Sequence, residues 1–183
     1  MGQNDPQGNT QPGRGSCGLR TNRQTPHPRA SRRRGLHAST YGSNDLGCSG
    51  WYTGTAHPDM TCRASADSAA GYPIVLRNGT WNGTSGFGWS KAYYYHNLWT
   101  KPIVDTIAYG LISGTPSNKD YEVIHYTDGE IDQYVIVVAD TTATSWGGIS
   151  TQDGREVGVL TGYCQNAAGA TEPECPGWVD DTL

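Results

Sequence analysis

The spacing of apolar and polar positions changes once along this chain, near Gly114. Before it, Phe87, Lys91, Tyr94, Tyr95 and Leu98 fall on one broad stripe at helical spacing, which predicts a helix over Ser90 to Trp99. Pro102 ends that helix or opens the next segment, and Ile103, Ile107 and Leu111 make a second short helix closed by Gly110 or Gly114. After Gly114 the period is that of strands. Tyr121 to Tyr126 is one strand, Asp128-Gly129 is a hairpin signal, and Ile131 to Ala139 is the next, with Tyr134 to Val138 as a buried central run. Asp153-Gly154 marks another turn, and Arg155 to Cys164 is a third strand. Upstream, Ala64 to Ala70 reads as a short helical turn, Tyr72 to Leu76 as a short strand, and Asn78 to Gly88 as an aperiodic loop. The fold class expected is α+β: short helices first, packed on an antiparallel meander.

Composition adds boundaries. The chain has 183 residues, enough for one domain, and a hydrophobic fraction of 35%, so part of it is expected to lack a core. Residues 1–40 read as a disordered Arg-rich arm, 41–65 as a loop-rich segment with two cysteines, 66–165 as the domain, and 166–183 as a polar tail tethered by Cys175. Aromatic bulk comes from Trp 6 and Tyr 11 against Phe 1, rings with a polar tip that suit ligand contact. No apolar run reaches the roughly 18 residues of a membrane span, and the first 30 residues hold no apolar leader core.

Charge is divided. Residues 1–40 carry seven Arg against Asp5, a balance of +6, and residues 41–183 carry six basic and sixteen acidic residues, a balance of −10. The arm suits contact with nucleic acid or an acidic surface, but Gly, Gln, Asn, Pro and Arg without aliphatics favour a solvated tail, and Arg32-Arg33-Arg34 fits a processing site. Among Cys17, Cys48, Cys62, Cys164 and Cys175 there is no CxxC pair and no His at metal-finger spacing, so neither a metal nor another cofactor is expected. Pairing Cys48 with Cys62 and Cys164 with Cys175 closes two short loops and leaves Cys17 single. Two glycosylation triplets, Asn78-Gly79-Thr80 and Asn82-Gly83-Thr84, join the cysteines in pointing to a secreted protein.

The stretch from Gly86 to His96 is the densest in chemistry: glycines that bring the backbone close to something, then Lys91 and His96 among rings. On an ideal helix those two side chains diverge by about 140°, while Lys91 and Tyr95 share a face. His125 is a second candidate, on the strand face of Tyr121 and Val123, opposite Glu122. On the last strand, simple alternation places Arg155, Val157, Val159, Thr161 and Tyr163 on one face, a platform offering a guanidinium fork and two hydroxyls to a phosphate. The aromatics read as core with His96 a capped or exposed helix residue, which is the favoured reading for an isolated His on such a helix, and the last strand reads equally well as an ordinary strand surface.

The pieces Gly86-Phe87-Gly88-Trp89-Ser90-Lys91 with His96, and Gly154-Arg155-Glu156-Val157-Gly158-Val159-Leu160-Thr161-Gly162-Tyr163, resemble the ribonuclease toxin domains of polymorphic and contact-dependent systems, which are similar in fold to barnase and the EndoU nucleases. The resemblance spans about residues 70–165, and its short motifs omit the cysteines, the C-terminal extension and the acidic charge of this domain. It implies metal-independent cleavage of RNA by attack of the ribose 2′-oxygen, with His96 as base or acid and His125 as its partner. It further implies Lys91 and Arg155 against phosphate charge, Thr161 and Tyr163 as positioning groups, and a cognate inhibitor (immunity) protein as partner. Trp89, Tyr93 and Trp99 would stack on bases, or else pack beneath the sheet. Two other classes stand beside it. One is an NAD-consuming or ADP-ribosylating toxin using Arg77 or Arg155 with Glu156 or Glu130. The other is a non-catalytic secreted effector that binds RNA or a protein.

Overall fold

A computed structural model describes residues 47–115, 118–127 and 130–182, without the side chains of 126–132 and Thr182. The chain divides into Met1–Ser39 and Thr40–Leu183, and every described residue lies in the second unit. The Arg-rich arm, Cys17, the Asp128-Gly129 turn and the side chain of Glu130 lie outside the described residues.

The order of elements is a single 3₁₀ turn at Pro58–Met60, then β1 (Cys62–Asp67), β2 (Pro73–Arg77), β3 (Thr80–Trp81) and β4 (Gly86–Phe87). Two helices follow, α1 (Gly88–His96) and α2 (Thr100–Tyr109). Next come β5 (Leu111–Thr115), β6 (Asn118–Thr127), β7 (Glu130–Asp140), β8 (Ser145–Trp146), β9 (Ile149–Ser150), β10 (Gly158–Asn166) and α3 (Trp178–Thr182). The fold is α+β. The helices do not come first, because two strand pairs precede them: β1 with β2, and β3 with β4.

The main sheet has the order β10-β7-β6-β5, antiparallel throughout. One face carries Tyr121, Val135, Val137, Ala139, Val159 and Cys164 and joins Leu98, Ile103 and Ile107 from the helical segment in one core. Burying such side chains stabilises by about 1.5–3 kcal/mol each. Ala64, Ile74 and Leu76 bring the β1–β2 hairpin into the same core, and Val179 brings α3.

Ala64 to Ala70 is not a helical turn. Cys62–Asp67 is a strand paired with β2, its core residues small, so alternation is faint and alanine's helix preference misleads. Leu111 does not extend α2. At Gly110 an added Cβ would stand 2.4 Å from the carbonyl oxygens of Glu122 and Thr106, so the helix ends where the chain touches β6. Beyond it β5 is an edge strand exposed at every residue, with no apolar alternation to announce it. Helix α1 starts earlier than Ser90 and stops at His96, because Asn97 takes the left-handed conformation (φ 52°) that closes helices.

Disulfides join Cys48 to Cys62 and Cys164 to Cys175. The first ties the segment before β1 to the hairpin. The second fixes the C-terminal tail against β10. Arg77 is fully buried: its Nη2 donates to both carboxylate oxygens of Asp153, at 3.0 and 3.1 Å, and to the Glu156 carbonyl, and its Nη1 donates to the Met60 carbonyl. Among the described residues no helix is long and apolar enough to cross a membrane.

Candidate functional site: the surface of α1 and the edge of β10

Two glycines seat α1. An added Cβ on Gly79 (φ 67°) would stand 1.9 Å from the Phe87 carbonyl oxygen, and one on Gly88 (φ 70°) would stand 2.9 Å from the Gly79 Cα. A Cβ on Gly86 would fall 2.0 Å from the Thr80 carbonyl oxygen. The glycines of the Gly86-Phe87-Gly88 run therefore serve close approach of the chain to itself. The backbone carbonyl of Asn78 accepts from the Ser90 N–H and hydroxyl, which fixes the first turn.

The broadest contact of α1 is with β10. His96 leaves the last turn of the helix and meets Tyr163 of β10, ring centroids 5.7 Å apart, with Tyr95 on its other side at 4.3 Å. His96 is 8% exposed. Its backbone carbonyl accepts from the Cys175 N–H, its ring bonds the Pro173 carbonyl, and its Nδ1 is buried without a hydrogen-bond partner. The tail held by Cys164–Cys175 thus covers it. Burial first, and the Lys91 ammonium second, push the imidazole below its ordinary pKa, while the bond to Pro173 pulls the other way. Near pH 7 the ring is neutral, the form that accepts a proton.

Thr161 and Tyr163 do not share a face with Val157 and Val159. The register runs Val159 opposite Ala139 and then Thr161 opposite Val138, so a β-bulge at Leu160 inserts one residue and turns the strand over. Val159 enters the core, whereas Thr161 and Tyr163 stand on the opposite face of the sheet. Arg155 is not on the strand, which begins at Gly158. It is exposed, its guanidinium 4.8 Å from the centre of the Trp51 ring.

The register also brings in two residues that alternation alone did not connect to the site. Glu122, Ile136 and Tyr163 form one cross-strand row on that face, and Asp120, Val138 and Thr161 the next. Burial first, then the carboxylates of Asp120 and Glu122, raise the Tyr163 phenol above its ordinary pKa, so it stays protonated and able to donate. The Thr161 hydroxyl is buried without a partner among the described residues.

His125 stands on the helix-covered face, 4% exposed, with its ring edge-on to Trp178 at 5.8 Å and its Nε2 without a hydrogen-bond partner. Burial lowers its pKa. In the register it lies opposite Gln133, whose amide donates to Glu172 at 2.6 Å. His125 and His96 are thus held by different parts of the C-terminal tail.

The three proposed stacking residues do come together. Trp89 and Tyr93 stack with centroids 4.8 Å apart and an interplanar angle of 9°, and Trp99 meets Tyr93 edge-on at 4.8 Å. Tyr94 is edge-on to both Trp89 and Tyr93, and Trp81 stacks on Tyr95 at 4.8 Å. Tyr94 is 66% exposed, Tyr95 50% and Trp99 46%. The Arg63 guanidinium lies 3.7 Å from the centre of the Trp89 ring and donates to the Thr100 hydroxyl. Six basic residues belong to the acidic unit, and three of them, Arg63, Lys91 and Lys101, lie on or beside this helix. Lys101 pairs with Asp105 at 2.9 Å.

Of the residues considered for a pyrophosphate, Arg77 is engaged by Asp153, and Glu156 meets it through its backbone carbonyl. Among the described residues no three His, Cys, Asp or Glu stand close enough to hold a metal ion. No protein-family model, curated protein or solved structure matches the chain.

Proposed function

We propose that this is an exported ribonuclease that lays a single RNA strand over the rings of α1 and cleaves it at the α1–β10 edge. The observation that carries this reading is the meeting of His96 and Tyr163, a neutral imidazole 5.7 Å from a protonated phenol, with Lys91 on the same helix helping to lower the imidazole's pKa. Exposed rings give bases a stacking surface that any sequence can use, worth about 1–3 kcal/mol per base. Arg63 and Lys91 supply positive charge beside these rings in a domain that is acidic as a whole.

In this chemistry His96 takes the proton of the ribose 2′-hydroxyl, and the oxygen attacks the adjacent phosphorus. The 5′-oxygen leaves with its bonding pair and takes a proton from solvent water, giving a 2′,3′-cyclic phosphate and a 5′-hydroxyl. Lys91 offsets charge on the phosphorane, and the Tyr163 hydroxyl donates to a phosphoryl oxygen. His125 stays in the core as a packing residue beside Trp178, and Arg155 contributes only if the strand reaches Trp51. Since Nδ1 of His96 is buried, productive binding displaces the Pro173–Cys175 segment.

The burial of both histidines favours a second reading, an exported binding module that holds RNA or a protein on the same rings without cutting. The deciding experiment incubates the oxidised protein and His96→Ala with single-stranded RNA, and separately with NAD⁺. The first reading expects cleavage by the parent protein alone. Bound but intact RNA supports the second, and consumed NAD⁺ with intact RNA supports neither.

A further inference from the structure

The two glycosylation triplets are identical in sequence, Asn-Gly-Thr, and stand four residues apart, so nothing in their composition separates them. The fold does. Asn78 is half-buried where the 3₁₀ turn, β1 and α1 meet. Its N–H donates to the Thr61 carbonyl at 2.9 Å, its carbonyl accepts from the Ser90 N–H at 2.8 Å, and its side-chain Nδ2 donates to the Pro58 carbonyl at 3.2 Å. The nitrogen that would carry a sugar lies at the surface but is held by the Pro58 carbonyl, and the backbone on both sides of it is bonded to the fold.

Asn82 is the reverse. It sits in the turn between β3 and β4, and Asn82, Gly83, Thr84 and Ser85 are all exposed. Its Oδ1 accepts from the N–H groups of Thr84 at 3.0 Å and Ser85 at 2.8 Å, which holds the side chain in one orientation while leaving Nδ2 unused in the turn. Gly83, at φ 92°, has nothing within 4 Å of the place a Cβ would take, so the turn is open to solvent. Asn82 lines a cavity of about 240 Å³ together with Asp59, Thr80, Ser85, Phe87 and Trp146. No Lys or Arg lines it. Aromatic and small polar residues without a cation suit a neutral sugar better than a charged ligand.

We propose that Asn82, and not Asn78, is an N-glycosylation site of the exported protein. The Asn82 amide nitrogen bonds to the anomeric carbon of a lipid-diphosphate-linked oligosaccharide. The carbon–oxygen bond to the diphosphate breaks, the lipid diphosphate leaves with that electron pair, and the amide gives up one proton to the transferase's base. The proposal rests on export and is independent of any action on RNA.

The test is to produce the full chain behind a leader in a eukaryotic secretory host. Glycans are then released with an amidase in heavy-oxygen water, which converts a glycosylated Asn to labelled Asp, and the position is read by peptide mass spectrometry. The expected result is label at Asn82 alone. Label at Asn78, at both or at neither overturns the assignment. Thr84→Ala removes the acceptor hydroxyl and is expected to abolish the intact-mass shift. A shift that survives Thr84→Ala overturns the assignment as well.

Discussion

His96 of α1 and Tyr163 of β10 meet with ring centroids 5.7 Å apart, and the tail fixed by Cys164–Cys175 closes over His96. One residue is a neutral base and the other a protonated donor, because burial acts oppositely on a cationic and an anionic conjugate form. Replacing His96 with Ala is expected to lower RNA cleavage by about 100- to 10,000-fold, the usual span of a general acid or base. Lys91→Ala should lower it less. Circular dichroism of each variant checks that the fold is retained, and full activity in His96→Ala contradicts the assignment.

The same tail predicts an access effect. Cys175→Ser opens the bridge, frees the N–H that holds the His96 carbonyl and lets Pro173 move from the imidazole. His96 should then react faster with diethyl pyrocarbonate, followed by peptide mass spectrometry, and its pKa should rise toward the ordinary value as burial is relieved. Equal reaction rates in both proteins would mean that the bridge does not restrict the ring. Closing a loop of about 15 residues is worth roughly 3 kcal/mol, so the variant should also melt earlier.

Stability should fall on mild acidification. His96 and His125 have folded-state pKa values below 6.5, with burial the leading cause in both. As pH drops through about 6.5, the usual value for an exposed histidine, the unfolded chain takes up protons that the folded chain refuses. Stability is therefore complete above that pH and declines below it until the folded pKa values are reached. Melting temperatures measured between pH 7.5 and 5.5 should show the decline, and His125→Gln should make it shallower. An unchanged melting temperature over that interval contradicts the burial of neutral imidazoles.

Arg77 and Asp153 give a separate prediction at lower pH. Burial raises the Asp153 carboxyl, but the N–H groups of Tyr52 and Arg155 and the Arg77 guanidinium outweigh it, so its pKa is net below the ordinary value. The resulting stabilisation is present above the unfolded-state value of about 4 and lost as pH falls through the folded one. Asp153→Ala leaves the guanidinium buried without a counter-charge and should cost about 3–5 kcal/mol, read by urea unfolding. A loss under about 1 kcal/mol would show that Arg77 finds water instead.

Much of the fold was legible because long apolar periods report burial directly. β6, β7 and both helices stand where Val135, Val137, Ile103 and Ile107 point. The two disulfides are those of the short-loop pairing, which was a guess that an odd count of cysteines did not favour. What was not legible lacks such a signal. β1 buries alanines, β5 buries nothing, and the bulge at Leu160 reverses a face without changing composition. The last matters most for the site. It moved Thr161 and Tyr163 away from Val159 and into rows with Asp120 and Glu122, a partnership that strand register alone can reveal. Trp89, Tyr93 and Trp99 were singled out as ring surfaces, with packing beneath the sheet as the plainer reading, but their stacking on one another was not foreseen. Nor was the burial of His96 under Pro173 and Cys175, since it depends on a tail distant in sequence.

The central claim is that this protein cuts RNA by attack of the 2′-oxygen at His96. Its most direct measurement is end-group analysis of a defined single-stranded RNA incubated with the oxidised protein in excess chelator, beside the same RNA carrying one 2′-deoxynucleotide. The account predicts 2′,3′-cyclic phosphate and 5′-hydroxyl ends, no cleavage at the deoxy position, and the same ends formed at least about 100-fold more slowly by His96→Ala. RNA that stays intact, or ends bearing a 5′-phosphate, contradicts it.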